Sequence, residues 1–433
     1  MAYKINHANI KDWARDYDGE PFDGILCDPP YELGFMGKSW DSSGIAFDSD
    51  MWADLFRHVK PGGHLLAFSG SRTYHRMACA IEDAGFEIRD MIEWVYGSGF
   101  PKSLNIGKAV DKIHGNEREN LGVSKNHRTL KPTNTMVGEP HSGDGSITKG
   151  TSPYEGYGTA LKPAHEPCVL ARKPLEKGMT VAQTALKHGT GGLNIDGSRV
   201  EYEKGGTKAT NPTLRTDNGE NSKDYGKSTM FARDRAIIAH DNAGRFPANL
   251  IHDGSDEVVG LFPDTKGSSA PRTNSPASKQ VYGDYGQVTT HNESWGDSGS
   301  AARFFYTAKA SKSERNAGLE GFEEKDSSKM SGGEETRPDR LERGLTNHPT
   351  AANHHPTVKP LSLTKYLANL IKPPTGGRLL VPFSGSGSEM IGALQAGWEY
   401  VEGVELTEEY IPIAEARIKH WLDKMSKEQL EML

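Results

Sequence analysis

The stretch FDGILCDPPY, residues 22–31, decides the fold. Its first six residues are typical of a short buried strand, which stops where Asp28, Pro29 and Pro30 begin. Segments with helical or strand-like apolar spacing then alternate along the chain, with a helix over 51–59, a strand over 64–68, a helix over 73–84 and a strand over 87–96. This alternation predicts an α/β domain with parallel strands.

The C-terminal part of the sequence repeats this pattern. Residues 361–371 are predicted to form a helix, and residues 378–381 a strand. A glycine-rich turn leads into a helix that ends at Gly397, and the next strand ends at Glu405. The final helix is predicted to begin near residue 408. Both ends of the sequence therefore carry α/β elements.

The middle of the chain is rich in Gly, Ser, Thr, Asn, Asp and Lys, and residues 201–228, 264–300 and 323–347 have the composition of mobile or disordered loops. A compact domain rarely holds so much loop. We therefore expect one catalytic domain that is split in sequence by an inserted recognition region. Its expected parts are a first half over 1–103, a loop-rich insertion over 104–162, a returning strand over 163–173, a recognition region with disordered loops over 174–347 and a second half over 348–433.

The composition limits the classes of function. Hydrophobic residues make up 35% of the chain, which also has 49 Gly and 24 Pro, so much loop surrounds the core. The net charge of -7 gives no overall attraction for nucleic acid, so nucleic-acid binding requires local basic patches. No apolar run approaches the roughly 20 residues that span a bilayer, and the first residues do not resemble a signal peptide. Because Cys27, Cys79 and Cys168 fit neither a metal site nor a set of disulfides, we expect a reducing, cytoplasmic location and no membrane association.

Asp28, Pro29, Pro30 and Tyr31 are the sharpest candidates for catalysis. An amino group on an aromatic ring is a poor nucleophile because its lone pair is delocalised into the ring. A carboxylate and a main-chain carbonyl that accept its two N–H hydrogens would direct the lone pair toward a methyl donor. Consecutive prolines stiffen the turn and leave carbonyls free, and the tyrosine ring can stack on a base that has left the duplex. The alternative is a capped turn that closes the strand, with Tyr31 in the core.

The loop VPFSGSG, residues 381–387, is a candidate ligand-binding loop. It lies between a predicted strand and a predicted helix. Its glycines allow close approach of the backbone, and the helix N terminus offers free N–H donors. Glu405 ends the next strand, where an acidic side chain can bind ribose hydroxyls. Together these features favour an adenosine-containing cofactor, with a plain strand–helix turn and an exposed carboxylate as the alternatives.

The string HPTVKP, residues 355–360, precedes the second group of α/β elements. Its prolines hold it extended, so that Thr357 and Lys359 can meet the carboxylate end of a cofactor. A linker is the alternative. The spacing of His348, His354 and His355 matches no metal site, and we expect these residues to be structural or at the surface.

In this order, the motifs resemble those of amino-group DNA methyltransferases. The similarity comprises the Asp-Pro-Pro-Tyr motif, the string at 355–360, and the loop with Phe383, Gly385 and Gly387. The catalytic motif comes first, a long insertion follows and the cofactor motif comes last, which is the permuted arrangement of the β class. Parts of the insertion also resemble phage-type and prophage-type members, namely 161–174, 191–199, 244–253 and 303–321.

The resemblance implies the Rossmann-like α/β fold of S-adenosylmethionine-dependent methyltransferases. Its sheet would be seven-stranded and mostly parallel with one antiparallel strand, in a circularly permuted order, with residues 1–103 as the catalytic half and 348–433 as the cofactor-binding half. The implied cofactor is S-adenosylmethionine, converted to S-adenosylhomocysteine, without a metal. The implied cofactor-binding residues are Thr357, Lys359, Phe383, Ser384, Gly385, Gly387 and Glu405. The sequence departs from the family at Val381, where members usually have Asp.

Basic residues in the insertion are candidates for DNA contacts. Lys309, Lys312 and Arg315 lie near a predicted helix start and can contact phosphates, which fix position without reading sequence. A solvated basic surface is the alternative. The target-recognition surface is expected within residues 175–347, and its partner is expected to be double-stranded DNA.

The sequence thus predicts a site-specific DNA methyltransferase that flips an adenine out of the duplex and methylates its N6 amino group. Cytosine N4 methylation needs the same chemistry, although by resemblance Asp28 rather than Ser favours adenine. Methylation of RNA or of a protein amide, and a catalytically silent DNA-binding protein suggested by Val381, stay open; a nicotinamide-dependent oxidoreductase would leave the Asp-Pro-Pro-Tyr motif unexplained. A homodimer and a cognate restriction nuclease, as in restriction–modification, also stay open. The expected location is the cytoplasm of a bacterial or phage-infected cell.

Overall fold

A computed structural model describes residues 2–33, 39–99, 103–123, 146–201, 244–265, 299–308, 311–326 and 350–431. The chain divides into two units. The first comprises Met1–Asn194, Asn249–Val258 and Thr307–Leu433, and the second comprises Ile195–Ala248 and Val259–Tyr306. Both ends of the sequence therefore build the same unit.

The strands are, in chain order, β1 (Ala2–His7), β2 (Phe22–Cys27), β3 (Val59–Phe68), β4 (Glu87–Val95), β5 (Glu119–Val123), β6 (Ser146–Lys149), β7 (His165–Arg172), β8 (Leu250–His252), β9 (Asp264–Thr265), β10 (Gly299–Ser300), β11 (Tyr306–Thr307), β12 (Lys325–Asp326), β13 (Thr350–Ala351), β14 (Arg378–Val381) and β15 (Tyr400–Glu405). Nine of them form one sheet in the order β1-β15-β14-β2-β3-β7-β4-β8-β11. The others form pairs: β5 with β6, β9 with β10, and β12 with β13.

The α-helices of the described residues are α1 (Ile10–Asp16), α2 (Ser49–Arg57), α3 (Tyr74–Asp83), α4 (Ile106–His114), α5 (Val181–His188), α6 (Asp256–Val259), α7 (Lys312–Asn316), α8 (Leu361–Leu370), α9 (Ser388–Gln395) and α10 (Ile411–Glu431). Helix α2 begins at Ser49, two residues before the predicted start at residue 51. The Asp48 carboxylate accepts hydrogen bonds from the backbone N–H groups of Asp50 and Met51, which lack partners within the helix. None of the helices that the structure describes is both long enough and apolar enough to cross a membrane.

The large sheet is mostly parallel. Strands β1, β15, β14, β2 and β3 run parallel to one another, and β8 runs parallel to β4. Strand β7 lies between β3 and β4 and is antiparallel to both. The predicted α/β class, with a mostly parallel sheet that contains one antiparallel strand, is therefore confirmed.

The sheet is larger than the seven strands that the resemblance implies. Strand β8 pairs with residues 93–95 at the far end of β4, and β11 follows it. Strand β3 also begins five residues before the predicted start at residue 64, because Val59 already pairs with Phe22 of β2. The turn Pro61-Gly62-Gly63 therefore lies within the strand and does not simply close helix α2.

Strand β2 explains how the two ends of the sequence share one site. It lies between β14 and β3 and is buried along its whole length, which accounts for its nearly continuous apolar run. Phe22 and Ile25 belong to the same core cluster as Leu380 of β14 and Val404 of β15. Because β2, β14 and β15 are parallel, their carboxyl ends lie at one edge of the sheet. The residues that follow these three strands therefore meet there.

The second unit contains short paired segments. Val200 and Arg245 exchange backbone hydrogen bonds of 3.0 and 2.7 Å, and β9 pairs with β10. The Arg303 guanidinium donates to the carbonyls of Gly299 and Ser300, at 2.7 Å in each case. Most of the tracts predicted to be disordered lie outside the described residues.

Candidate active site

Asp28 follows the carboxyl end of β2 and is paired with a lysine from the other end of the sequence. Its Oδ2 accepts a hydrogen bond of 2.5 Å from Lys359 Nζ, although the two residues are 331 positions apart. Their side chains are only 11% and 6% exposed, respectively. The second oxygen, Oδ1, is shielded from solvent and accepts no hydrogen bond from a described residue. Since an unused buried acceptor costs about 1–3 kcal/mol, Oδ1 is a candidate substrate contact.

The Lys359 ammonium group is surrounded by two carboxylates and two aromatic rings. It lies 3.4 Å from Glu166 Oε2, and the Tyr31 hydroxyl donates to that same oxygen at 2.8 Å. It also lies 5.3 Å from the ring centre of Tyr31 and 4.9 Å from that of Phe68. Lysine, carboxylates and tyrosine thus form one connected network around Asp28.

The protonation states of Lys359 and Tyr31 are set by the groups around them. Burial lowers the pKa of Lys359, but the negative charges of Asp28 and Glu166 outweigh burial and hold this pKa above its ordinary value. Burial, followed by the charges of the same two carboxylates, raises the pKa of Tyr31 well above 10. Lys359 is therefore a cation and Tyr31 a neutral phenol, which can donate a hydrogen bond through its hydroxyl.

The turn that carries Tyr31 is held from both sides. Pro29 is buried, and the Tyr31 carbonyl accepts a hydrogen bond of 2.7 Å from Thr73 Oγ1. The next residue, Glu32, has a φ of 55° in the left-handed region, which costs a non-glycine residue about 1–2 kcal/mol. Its N–H donates to Asp41 Oδ1 at 3.0 Å, which supports this conformation. Strained backbone of this kind is concentrated at functional sites.

The loop after β14 has the backbone shape of a ligand-binding turn. Gly385 and Gly387 have φ values of 48° and 83°, and the Gly387 N–H donates to the Ser384 carbonyl at 2.7 Å. A Cβ atom on Gly385 would stand 2.7 Å from His355 Nε2, so the close approach requires glycine. The Ser384 hydroxyl is buried and has no hydrogen-bond partner among the described residues. The loop therefore retains an unused polar atom beside the start of α9.

Glu405 ends β15 and supports this loop. Its Oε2 accepts from the Gly385 N–H and its Oε1 from the Thr407 N–H, at 2.7 Å in each case. Burial raises the pKa of Glu405, and these N–H groups oppose that shift. Phe383 is partly buried against the core cluster. Because each Glu405 oxygen keeps a second lone pair for a ribose hydroxyl, the glycines, the Ser384 hydroxyl and this carboxylate fit an adenosine-containing cofactor.

Thr357 and Lys359, the two residues of the string at 355–360 that were predicted to contact the cofactor, lie in different environments. Thr357 is exposed, and its carbonyl accepts a hydrogen bond from His355 Nδ1. The Lys359 ammonium is paired with Asp28 and Glu166, and its predicted contact with the cofactor carboxylate stays a prediction. A buried ammonium needs a nearby carboxylate to offset its desolvation, and the catalytic edge of the sheet supplies two.

The predicted DNA contacts are only partly covered by the structure. Lys309 lies outside the described residues, and Lys312 begins α7. The Arg315 guanidinium is turned inward: Nε donates to the Asn353 carbonyl at 3.3 Å and Nη2 to the His355 carbonyl at 2.7 Å. Arg315 thus supports the segment that leads to Lys359, and its predicted contact with a phosphate stays a prediction.

The histidines near the site pack against an aromatic ring. The ring centres of His354 and His355 lie 5.5 and 4.6 Å from that of Tyr410. His348 lies outside the described residues. In the part of the chain that the structure describes, no three or more His, Cys, Asp and Glu side chains are grouped to hold a metal ion.

Two acidic residues of the site were missed by the sequence analysis. Glu166 stands opposite Trp94 near the start of β7, and its sequence neighbourhood indicated a strand without showing which side chain faces Asp28. Glu389 is the second residue of α9 and is buried. An acidic residue in the first helical turn is usually an exposed partner of the helix dipole, so its sequence position gave no signal.

The fold and the site together define a class. A mostly parallel sheet with one inserted antiparallel strand, an Asp-Pro-Pro-Tyr turn after β2 and a glycine loop after β14 define a Rossmann-like, S-adenosylmethionine-dependent methyltransferase fold in permuted order. A family model described as DNA methylase, that of the N6/N4 methyltransferases, matches residues 22–416. The chain therefore belongs to the N6/N4 DNA methylase family.

Individual relatives are more distant. The chain is 25% identical over 146 residues to the Type II methyltransferase M.HindIII of Haemophilus influenzae, and this match covers 34% of the chain and 37% of that relative. The match thus spans little more than a third of the curated relative. The M1.HpyAVI–SAM complex is 12% identical with a TM-score of 0.36, covering 96% of this chain and 100% of that chain. The cytosine-N4-specific PvuII DNA methyltransferase is 10% identical with a TM-score of 0.37, covering 98% and 91%.

Proposed function

We propose that this protein transfers a methyl group from S-adenosylmethionine to the N6 amino group of adenine in duplex DNA. The main support for the proposal is the difference in hydrogen bonding between the two carboxylate oxygens of Asp28. One of its oxygens is anchored by Lys359 at 2.5 Å, and the other is a shielded acceptor without a partner among the described residues. This is the arrangement that a carboxylate needs in order to accept an N–H hydrogen from a bound base.

In this proposal, Asp28 Oδ1 and the Pro29 carbonyl accept the two hydrogens of the target amino group. The lone pair of the nitrogen is thereby directed out of the base plane. Lys359 fixes the orientation of the Asp28 carboxylate. Because these groups act by position, most of the rate enhancement is expected from orientation of the amino group. No covalent enzyme intermediate is needed, since the nucleophile belongs to the base.

The loop after β14 and Glu405 would hold the cofactor. In this proposal, Glu405 accepts hydrogen bonds from the ribose hydroxyls, and the Ser384 hydroxyl contacts the polar end of the cofactor. Bound S-adenosylmethionine supplies an electrophilic methyl group. Gly385 and Gly387 allow the close approach of the backbone that this site requires, and Phe383 is a further proposed contact.

The location of Asp28 supports base flipping as part of the proposal. A largely buried carboxylate cannot reach an amino group inside a stacked duplex, so the base must leave the helix. The Tyr31 ring, fixed by Glu166 and Thr73, is the proposed stacking surface. We further propose that the recognition surface lies within residues 174–347, with Lys309 and Lys312 near the DNA backbone.

The choice of adenine over cytosine rests on Asp28. By resemblance, members with Asp at this position act more often on adenine, and members with Ser more often on cytosine. Cytosine N4 methylation remains the second candidate because both amino groups present the same pair of hydrogens to Asp28 and Pro29.

Mass spectrometry of nucleosides tests the proposal. Unmethylated duplex DNA is incubated with the protein and S-adenosylmethionine, digested and analysed, with parallel reactions on RNA and on protein as controls. We expect N6-methyladenine in the DNA only. N4-methylcytosine would move the assignment to cytosine, and label in RNA or protein would contradict a DNA substrate. Absence of methylation together with absence of cofactor binding in calorimetry would identify a silent DNA-binding protein.

A further inference from the structure

Glu389 is a buried carboxylate without a cation of its own. It follows the glycine loop directly, as the second residue of α9, and is 5% exposed. Among the described residues, the only hydrogen bond to its carboxylate comes from its own backbone N–H. Burying an ionised carboxylate without a partner costs several kcal/mol. The presence of Glu389 at this position therefore suggests that it binds a ligand.

The two cations whose charges act on Glu389, Lys359 and Arg417, donate hydrogen bonds to other acceptors. Lys359 Nζ is hydrogen-bonded to Asp28 Oδ2 at 2.5 Å. Arg417 is fully buried and donates to the Ser386 hydroxyl at 3.0 Å and the Ser388 hydroxyl at 3.2 Å. Burial, followed by repulsion from Asp28, raises the pKa of Glu389 to about 7. The Glu389 carboxylate is therefore buried without forming an ion pair with a cation of the described residues.

Glu389 directly follows the glycine loop, and charges from the Asp28 side of the site also act on it. Its carboxylate feels the charges of both Asp28 and Lys359, and its helix starts at the loop in which Gly385 meets Glu405. The strand that leads into this loop ends at Val381, which is fully buried and apolar. Strand β14 therefore brings no acidic group of its own to the ligand, and Glu389 is the nearest carboxylate that the loop and its helix provide.

We propose that Glu389 binds the α-ammonium group of S-adenosylmethionine and so supplies the carboxylate that is missing at Val381. The inference rests on the proposed function. Of the two cationic groups of this cofactor, the ammonium has N–H donors and the sulfonium has none. A carboxylate that accepts such a donor forms a charge-assisted hydrogen bond, the strong kind. The ammonium would offset the burial of Glu389, and Glu389 would distinguish the cofactor from nucleosides that lack an amino acid end.

Binding of two ligands to two variants tests this assignment without any methyl transfer. Isothermal titration calorimetry compares S-adenosylhomocysteine with its analogue in which hydrogen replaces the α-amino group. The wild-type protein should bind S-adenosylhomocysteine about 10- to 100-fold more tightly than the analogue, the size expected for a hydrogen bond to a charged group. Glu389→Gln should lose this preference and bind both ligands within about threefold of each other.

The control is Glu399→Gln, which changes an exposed carboxylate on the same half of the chain and should behave as the wild type. Thermal unfolding checks that Glu389→Gln is folded, which its nearly identical shape favours. If Glu389→Gln keeps the wild-type preference, the inference is wrong and the proposed function stands. If the wild-type protein binds neither ligand, both the inference and the proposed function are wrong.

Discussion

Two carboxylates at one edge of the sheet are held in opposite ways. Asp28, after β2, is fixed through one oxygen by a lysine side chain, and its other oxygen has no partner among the described residues. Glu405, at the end of β15, uses both oxygens to accept backbone N–H groups at 2.7 Å. The first is prepared to accept hydrogens from a substrate, whereas the second also builds the loop that receives the ligand. Asp28 is therefore the carboxylate proposed to contact the reacting amino group, and Glu405 is the carboxylate that maintains the shape of the ligand loop.

Replacement of Lys359, the lysine that anchors Asp28, is expected to have the largest effect among the variants that test this comparison. Lys359→Met leaves the Asp28 carboxylate buried without its cation, which should lower the free energy of unfolding by about 3–5 kcal/mol. Methylation should fall on the order of 100-fold or more, since the carboxylate loses its cationic partner and its fixed orientation. Denaturant unfolding and a labelled-methyl assay measure the two effects. Lys365→Met, at an exposed lysine of α8, is the matched control and should change neither.

Glu405→Ala attacks the other carboxylate. The N–H groups of Gly385 and Thr407 lose their acceptor, so the loop after β14 should loosen. We expect affinity for S-adenosylhomocysteine to fall about 10- to 100-fold, and stability by about 1–3 kcal/mol. Calorimetry measures the affinity, with Glu408→Ala, an exposed acid just beyond β15, as the control. Unchanged affinity would show that the carboxylate has no part in the ligand site.

The dependence of stability on pH tests the environment of the third carboxylate, Glu389. Burial and repulsion from Asp28 raise its pKa to about 7 from its ordinary value of 4.5, so the folded protein binds more protons than the unfolded chain between these values. Stability should therefore fall as the pH rises through this window, by about 3 kcal/mol, and level off above it. Glu389→Gln should lack this fall. Urea unfolding of the ligand-free proteins at several pH values gives the comparison, and parallel profiles would contradict the pKa shift.

Tyr31→Phe is the mildest perturbation. It removes the hydroxyl that donates to Glu166 at 2.8 Å and keeps the ring that is proposed to stack on the base. Stability should fall by about 0.5–1.5 kcal/mol, and methylation by less than about tenfold, which corresponds to 1.4 kcal/mol. Tyr31→Ala, which removes the ring as well, should cost clearly more in the same assay. Equal losses in the two variants would contradict a stacking role.

Much of the fold could be predicted from local sequence. The apolar run of β2 and its stop at Asp28, the Asp48 cap of α2 and the strand over 378–381 all depend on neighbours in sequence, and the structure has them in place. Strand β8 was missed because three residues are too short to show a periodicity. Its pairing with β4 depends on tertiary contacts.

The site was less predictable, because its key contacts join distant residues. Lys359 reaches Asp28 only after β14 has paired with β2, and no local pattern shows that contact. Arg315 looked like a surface cation near a helix start, but the carbonyls of Asn353 and His355 hold it inward. Sequence thus indicated which residue types the chemistry needs, while their partners depended on the order of the strands.

The most direct test of the central claim separates methyl transfer from cofactor binding in one variant. In Asp28→Ala, the acceptor for the amino group is gone, while Glu166 remains 3.4 Å from the Lys359 ammonium. We predict that single-turnover methylation of duplex DNA falls on the order of 1000-fold, with affinity for S-adenosylhomocysteine within about threefold of the wild type, a change of less than 1 kcal/mol. Asp18→Ala, at an exposed site, should retain both. Near-normal methylation by folded Asp28→Ala protein would contradict the account.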